Sequence, residues 1–260
     1  MPQGFAELQM YVAPARVREA QARWLARILE HLRATRSTAD APDLKALWLS
    51  DDLLLTQTCG YPLMTQLRGR VQVVGRPVFN LPHSSEGAHC SLLLARDDDA
   101  RRELIDFRGS HGLINSEDSN SGMNLFRHTL APLQVDGRFF GQVSLTGGHR
   151  DSLRWLREGR GDLAAIDSVT YDYLARDSSD ELAGLRIVTQ TALSPCLPYI
   201  TRLGADPEVI RAAMNTALRE LPEVACALAI REVMPASEAD YQMLLDYQQH
   251  AVDFGLPNLL

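Results

Sequence analysis

The chain has no long hydrophobic run, few cysteines and no excess of positive charge, and each of these absences excludes a class of function. A membrane-spanning helix needs about 18 consecutive apolar residues, and no stretch of the sequence approaches that length. Lys and Arg together number 26 against 33 Asp and Glu, which gives a formal net charge of −7. Neutralising nucleic-acid phosphates requires clustered excess cations, so no nucleic-acid partner is expected.

The sequence also lacks the local signatures of metal, cofactor and covalent chemistry. It contains no Cys-x-x-Cys pair, P-loop, Gly-x-Gly-x-x-Gly, His-Glu-x-x-His or Gly-x-Ser-x-Gly motif, so neither a metal nor a cofactor is predicted. The widely spaced cysteines are interpreted as buried free thiols, namely Cys59, Cys90, Cys196 and Cys226. A Cys59–Cys90 bridge is the alternative, but it requires an oxidising compartment.

What is present is typical of a globular chain of alternating strands and helices. Hydrophobic residues make up 45% of the chain and charged residues 23%, the usual balance of a folded domain. Apolar runs at 111–115, 142–146 and 163–166 are each followed by a turn and a helix-like segment. This alternation predicts an α/β fold with parallel strands. Another apolar run, 91–95, is short and continuous, as expected of a strand covered on both faces.

Small polar residues follow the first of these strands and open a helix expected at about 122–129. They include Ser119, Asn120 and Ser121, just before a glycine. Hydroxyl groups and the free amides of a helix start together form an anion site, and the glycine permits close approach. The alternative is that one serine caps the helix and no ligand binds.

Two further candidates lie where the next strands end. His149 follows two glycines, ahead of a helix expected at 150–158, and its imidazole can donate an N–H group to an anion. A purely structural histidine is the alternative. Asp167 ends the strand at 163–166, at the edge where open α/β sheets bind ligands. It would suit the cationic part of a zwitterionic ligand, or would simply cap the helix that follows.

Residues 56–62 are interpreted as a turn after another strand. Thr58 and Tyr61 in this turn are candidate ligand contacts, with ordinary turn formation as the alternative. Cys59 can be combined with the histidine and the aspartate above into a nucleophilic triad. The chain has no nucleophile elbow, so the triad signal is weak.

Taken together, these segments resemble the phosphonate- and phosphate-binding proteins of ABC importers, which have the type 2 periplasmic binding fold. The similarity extends from about residue 11 to residue 201 and depends on order and spacing rather than on one motif. The segments that carry it are Gln57-Thr58-Cys59-Gly60-Tyr61-Pro62, Asp106-Phe107-Arg108-Gly109, Asn115 to Gly122, Thr146 to His149 with Ser152, Gly161 to Asp167, and Pro195-Cys196-Leu197-Pro198-Tyr199. Relatives often have Tyr-Arg-Ser before the strand at 91–95, where this chain has His89-Cys90-Ser91.

The resemblance implies two α/β lobes that close by a hinge motion over a ligand in the interlobe cleft. Two crossover strands, 91–95 and 185–189, would join the lobes. The first lobe would contain residues 1–94 and 188–260, and the second would be the inserted segment 95–187.

The resemblance also implies a set of ligand contacts. The oxyanion would be held by Ser119, Asn120, Ser121 and His149, and would be faced from the first lobe by Tyr11, Tyr61 and Ser91. Asp167 would contact the amino side of the ligand, and Thr58 is kept as a further candidate contact.

We therefore expect a non-enzymatic substrate-binding protein that captures a phosphonate, phosphate or phosphate ester for import, with an ABC permease as its partner. The resemblance implies a periplasmic location. The segment Met1 to Phe5 has no basic stretch followed by an apolar one, so the sequence predicts no signal peptide and leaves a cytoplasmic location open. Two alternatives remain, namely a cytoplasmic ligand sensor and an enzyme on the same scaffold that uses Cys59 or His149.

Overall fold

The computed structural model describes residues 3–8, 10–37, 39 and 43–259. The strands in this part of the chain are β1 (Gln3–Glu7), β2 (Thr35–Arg36), β3 (Leu53–Gln57), β4 (Val71–Phe79), β5 (Ser84–Ser85), β6 (Ala88–His89), β7 (Ser91–Arg96), β8 (His111–Ile114), β9 (Gln142–Leu145), β10 (Leu163–Asp167), β11 (Leu185–Gln190), β12 (Ser194–Pro195), β13 (Tyr199–Arg202) and β14 (Ile230–Met234). The α-helices are α1 (Ala15–His31), α2 (Leu44–Trp48), α3 (Gly60–Thr65), α4 (Leu125–Leu130), α5 (His149–Arg157), α6 (Ser168–Asp177), α7 (Pro207–Glu220), α8 (Pro222–Leu228) and α9 (Gln242–Asp253).

The chain divides into two compact units. The first contains Met1–Ala88 and Pro195–Tyr241, and the second contains His89–Ser194 and Gln242–Leu260. The chain therefore passes between the units three times. Strands β7 and β11 were expected to be the crossover strands. Strand β7 lies just after the first passage, and β11 lies shortly before the second.

The C-terminal segment groups with the second unit, whereas the sequence analysis assigned it to the first lobe. The side-chain amide of Asn124 donates to the Leu244 carbonyl at 2.9 Å, and the Tyr247 hydroxyl donates to the Leu193 carbonyl at 2.9 Å. These bonds attach α9 to residues from the middle of the chain. A local hydrophobic pattern does not reveal such partners.

The first unit is built on a sheet with the strand order β14-β4-β13-β3-β1-β2. Strand β1 runs parallel to β2 and β3, and the remaining pairs are antiparallel. Helix α1 buries Val17, Trp24 and Ile28 on one face, as their spacing of three or four residues requires. The Trp24 indole donates to the Met214 carbonyl of α7 at 3.1 Å, so the two helices are joined by a buried hydrogen bond.

The turn predicted at 56–62 is wrong. Strand β3 continues to Gln57, and α3 already begins at Gly60. Pro62 lies in the first turn of this helix, where proline is tolerated because the first N–H groups have no intrahelical partner. Thr58 therefore lies between a strand and a helix, and Tyr61 lies in the helix itself.

The second unit is built on a sheet with the strand order β11-β7-β10-β8-β9. Strand β8 runs parallel to β9 and β10, which confirms the parallel strands predicted for this part of the chain. At the other side of the sheet, β7 pairs antiparallel with β10, and β11 pairs antiparallel with β7. Because β8, β9 and β10 are parallel, their carboxyl ends lie at one edge.

Apolar side chains from the sheet and its helices form the core of the second unit. One cluster joins Leu92, Leu94, Leu113, Leu153, Leu156, Ile166 and Leu174, each at most 1% exposed. It fixes α5 and α6 against β7, β8 and β10, and thereby fixes where these helices begin. Within the described part of the chain, no helix combines the length and the apolar character needed to cross a membrane.

Candidate anion-binding site

Serine and asparagine side chains lie at the start of the helix that follows β8. The Ser119 hydroxyl oxygen accepts the N–H of Gly122 at 3.0 Å, so this serine is the N-cap. The N–H of Asn124 donates to the Ser119 carbonyl at 3.0 Å, and this five-residue spacing makes the segment Asn120–Asn124 a π-helical turn before α4. The helix thus begins two residues earlier than predicted. Such wide turns are frequent at functional sites.

A hydrogen bond joins this helix start to the start of α5. The hydroxyl oxygen of Ser121 lies 3.0 Å from Nε2 of His149. The Ser91 hydroxyl donates to the Ser121 carbonyl at 2.8 Å and holds the same residue from β7. A Cβ at Gly122 would lie only 1.8 Å from Oδ1 of Asn115, so only glycine fits this approach. The two strand-to-helix junctions that the sequence analysis treated separately therefore meet at one edge of the sheet.

The position of His149 is fixed by the turn before it. Gly147 has φ +93°, a left-handed conformation that glycine adopts at little cost. The hydroxyls of Thr146 and Ser152 lie 2.7 Å apart and close the turn. Burial lowers the pKa of His149, and the nearby Asp167 charge only partly opposes this effect. The lowered pKa favours the neutral form of the imidazole at pH 7.

Asp167 has two sets of partners. Its Oδ1 accepts the N–H groups of Val169 at 2.9 Å and Thr170 at 3.1 Å, so the residue caps α6. Its Oδ2 lies 3.0 Å from Nδ1 of His89, and the two side chains are 3% and 0% exposed respectively. Burial by itself would raise the pKa of Asp167, but the charge and hydrogen bond of His89, with a further contribution from His149, hold that pKa below its usual value.

His89 was noted in the sequence only as a departure from relatives. It reaches Asp167 because β7 and β10 pair antiparallel, with Asp167 opposite Ser91. The N–H of Ser168 then donates to the Cys90 carbonyl at 3.0 Å and extends this pairing beyond the strand end. The partnership depends on strand register, for which no local sequence signal exists.

Two of the predicted ligand contacts are engaged in hydrogen bonds within the second unit. The side-chain amide of Asn120 donates to the Ser194 hydroxyl at 3.0 Å, and its carbonyl oxygen accepts from Asn124 at 3.3 Å. The N–H of Ser91 donates to the Thr191 hydroxyl at 2.9 Å. These bonds hold the helix start and β7 in place around Ser121.

The remaining predicted contacts lie in the first unit. The Tyr11 ring meets Phe79 edge to face with a centroid distance of 6.0 Å. The N–H of Thr58 donates to the Pro198 carbonyl at 3.1 Å. Tyr61 is the second residue of α3 and is 7% exposed. The roles of these three residues as ligand contacts stay predictions.

All four cysteines are free. Cys59, Cys90 and Cys196 are buried, as predicted, whereas Cys226 is exposed on α8 and corrects the expectation of burial. Burial raises the pKa of Cys90 to about 11, so this thiol is protonated at neutral pH. Cys59 lies in the first unit, and the other two members of the candidate triad lie in the second.

The sequence matches the model of a known family. The family is described as the periplasmic substrate-binding protein of the phosphonate ABC transporter, and its model matches residues 50–241. The chain belongs to this family. Its role is therefore solute binding for ABC import. Among curated proteins, none matches the sequence.

Solved structures with a similar fold include two proteins of phosphonate transport or binding. The binding-protein component of an ABC phosphonate transporter from Pseudomonas aeruginosa gives a TM-score of 0.79 at 15% identity, covering 97% of this chain and 89% of that one. PhnD1 from Prochlorococcus marinus, in complex with methylphosphonate, gives 0.73 at 10% identity, covering 95% and 97%. A Xanthomonas citri protein bound to ATP gives 0.65 at 15% identity, covering 98% of each chain. These likenesses confirm the predicted fold class, a two-lobed type 2 periplasmic binding fold of the α/β class.

Proposed function

We propose that this member of the family binds a small phosphonate or phosphate ester at the edge of the second-unit sheet formed by the carboxyl ends of β8, β9 and β10. The single observation that carries the proposal is the 3.0 Å contact between the Ser121 hydroxyl and Nε2 of His149. It brings two helix starts together, and helix starts present N–H groups and a partial positive charge to anions. Methylphosphonate and ATP, the ligands of two proteins of similar fold, both contain a phosphorus oxyanion.

The hydrogen-bond donors at this edge are uncharged, and they suit an anionic ligand. Hydroxyl groups, backbone amides and the neutral imidazole of His149 are uncharged, and each can donate to a phosphonyl oxygen. A hydrogen bond to a charged group contributes about 1.5–3 kcal/mol, which corresponds to roughly a 10- to 100-fold change in affinity when one donor is removed. Removal of Ser121 or His149 should therefore be measurable by direct titration.

The proposal extends to compartment and partner. Family membership supports a periplasmic location and an ABC permease that receives the ligand. Fractionation of cells that express the native gene, followed by immunodetection of the chain in the periplasmic extract, tests the location. Recovery in the cytoplasmic fraction alone would overturn that part of the proposal and would favour a ligand sensor.

Calorimetric titration of the purified protein with methylphosphonate, ethylphosphonate and inorganic phosphate tests the ligand class. We expect at least one of these to bind, and we expect Ser121→Ala and His149→Ala each to weaken that binding at least tenfold. Ser144→Ala is a matched control in the same unit, because the Ser144 hydroxyl contacts Nε2 of His111, the first residue of β8, at 2.9 Å and so lies against the amino end of that strand. It should leave affinity unchanged. Equal effects of all three substitutions would show that the site is placed wrongly.

A further inference from the structure

Asp167, at the same edge of the sheet as the proposed anion site, already has an internal partner. One oxygen of Asp167 accepts two backbone N–H groups at the start of α6, and the other lies 3.0 Å from the His89 imidazole. The His89 side chain is 0% exposed and that of Asp167 is 3% exposed.

This pair lies at the same edge of the sheet as the proposed site. Asp167 ends β10, and β10 runs parallel to β8, which leads into the helix start that carries Ser121. The Asp167 charge also acts on the His149 imidazole, whose pKa burial lowers and this charge partly restores. An anion held by Ser121 and His149 therefore lies at the same sheet edge as Asp167.

A free carboxylate in this position would attract a ligand that carries an ammonium group. An ammonium group entering here would meet a carboxylate whose Oδ1 accepts two backbone N–H groups and whose Oδ2 lies against the buried His89 imidazole, and it would lose its own hydration without gaining a full partner. We propose that His89 is a specificity determinant, which restricts the site to phosphonates and phosphate esters whose organic group carries no positive charge. This inference rests on the proposed function.

Two isosteric probes test this restriction in the unmodified protein. Propylphosphonate and 2-aminoethylphosphonate differ by a methyl group in place of the ammonium group. We expect calorimetry on the wild-type chain to give at least tenfold tighter binding of propylphosphonate. Tighter binding of 2-aminoethylphosphonate would overturn the assignment of His89 while leaving the proposed function standing. Failure of both probes, and of the simpler phosphonates, to bind would overturn the proposed function and this inference with it.

Substitution of the pair shows whether His89 is the cause. His89→Ala removes the imidazole beside Oδ2 of Asp167, so the ratio of the two dissociation constants should move at least tenfold toward 2-aminoethylphosphonate. The double variant His89→Ala with Asp167→Asn removes both partners, leaves no lone buried charge and should return the ratio to a preference for propylphosphonate. His111→Ala removes an imidazole elsewhere in the unit and should leave the ratio unchanged. An unchanged ratio in His89→Ala would refute the role of this histidine.

Discussion

Replacing Asp167 by asparagine measures what the buried contact with His89 contributes to stability. Asparagine is as good an N-cap as aspartate, so the hydrogen bonds from Val169 and Thr170 to the capping side chain can be kept. The substitution removes the negative charge and places an amide NH2 group in place of the carboxylate oxygen beside the His89 imidazole. The change in the free energy of unfolding therefore isolates the buried pair from the helix cap.

The expected loss in the free energy of unfolding is large for so small a substitution. Removing one partner of a buried ion pair destabilises proteins by about 3–5 kcal/mol, because the other charge is left without compensation. Because asparagine keeps the helix cap, the loss should lie near the lower end, at about 3 kcal/mol. At about 2–4 °C per kcal/mol, the melting temperature should fall by roughly 6–12 °C.

Asp206 offers a matched control in the other unit. This exposed residue caps α7 by accepting the N–H groups of Glu208 at 2.9 Å and Val209 at 3.4 Å. Asp206→Asn keeps a cap of the same kind, so its effect should stay below about 0.5 kcal/mol. Thermal unfolding followed by circular dichroism measures both variants. Equal melting temperatures for the Asp167 and Asp206 variants would refute the stabilising role of the buried pair.

The pH dependence of the melting temperature, compared between the wild type and Asp167→Asn, gives a second readout. Burial opposes ionisation of Asp167, but His89 and then His149 more than offset it, so the folded-state pKa lies below the usual value of about 3.9 for the unfolded chain. The stabilisation is therefore complete above about pH 4 and is lost as the pH falls through the folded-state pKa. The melting temperature of the wild type should fall more steeply with acidification in this range than that of Asp167→Asn.

Two further outcomes follow from burial and close contact. A Cβ at Gly122 would lie 1.8 Å from Oδ1 of Asn115, so Gly122→Ala should destabilise the chain by about 1–3 kcal/mol in urea unfolding. Adding Asn115→Ala, which removes the clashing atom, should recover part of this loss, and no recovery would show that the clash is not the cause. Of the four free cysteines only Cys226 is exposed, so a thiol reagent should label one cysteine quickly in the native protein and all four in denaturant. Rapid labelling of a second native thiol would contradict the assigned burial.

The elements of the fold could be predicted from the sequence because their signals are local. The apolar spacing of α1, the short apolar runs that become β7 and β10, and the glycines before α5 each depend on neighbouring residues. The turn at 56–62 was mispredicted because Pro62 normally ends a helix, yet it is tolerated in the first turn of α3. The positions of Ser121 and His149 at helix starts were correctly anticipated from the same local signals.

The sequence by itself thus determined which residues begin helices and end strands, and the family to which the chain belongs. Only the tertiary structure decided that Ser121 contacts His149, that Asp167 is partnered by His89 and that α9 joins the second unit. Each of these contacts joins residues distant in sequence, and it depends on strand order and register. Strand order and register are set by the packing of the whole core, since a shift of one residue between β7 and β10 would turn every side chain on the shifted strand to the opposite face.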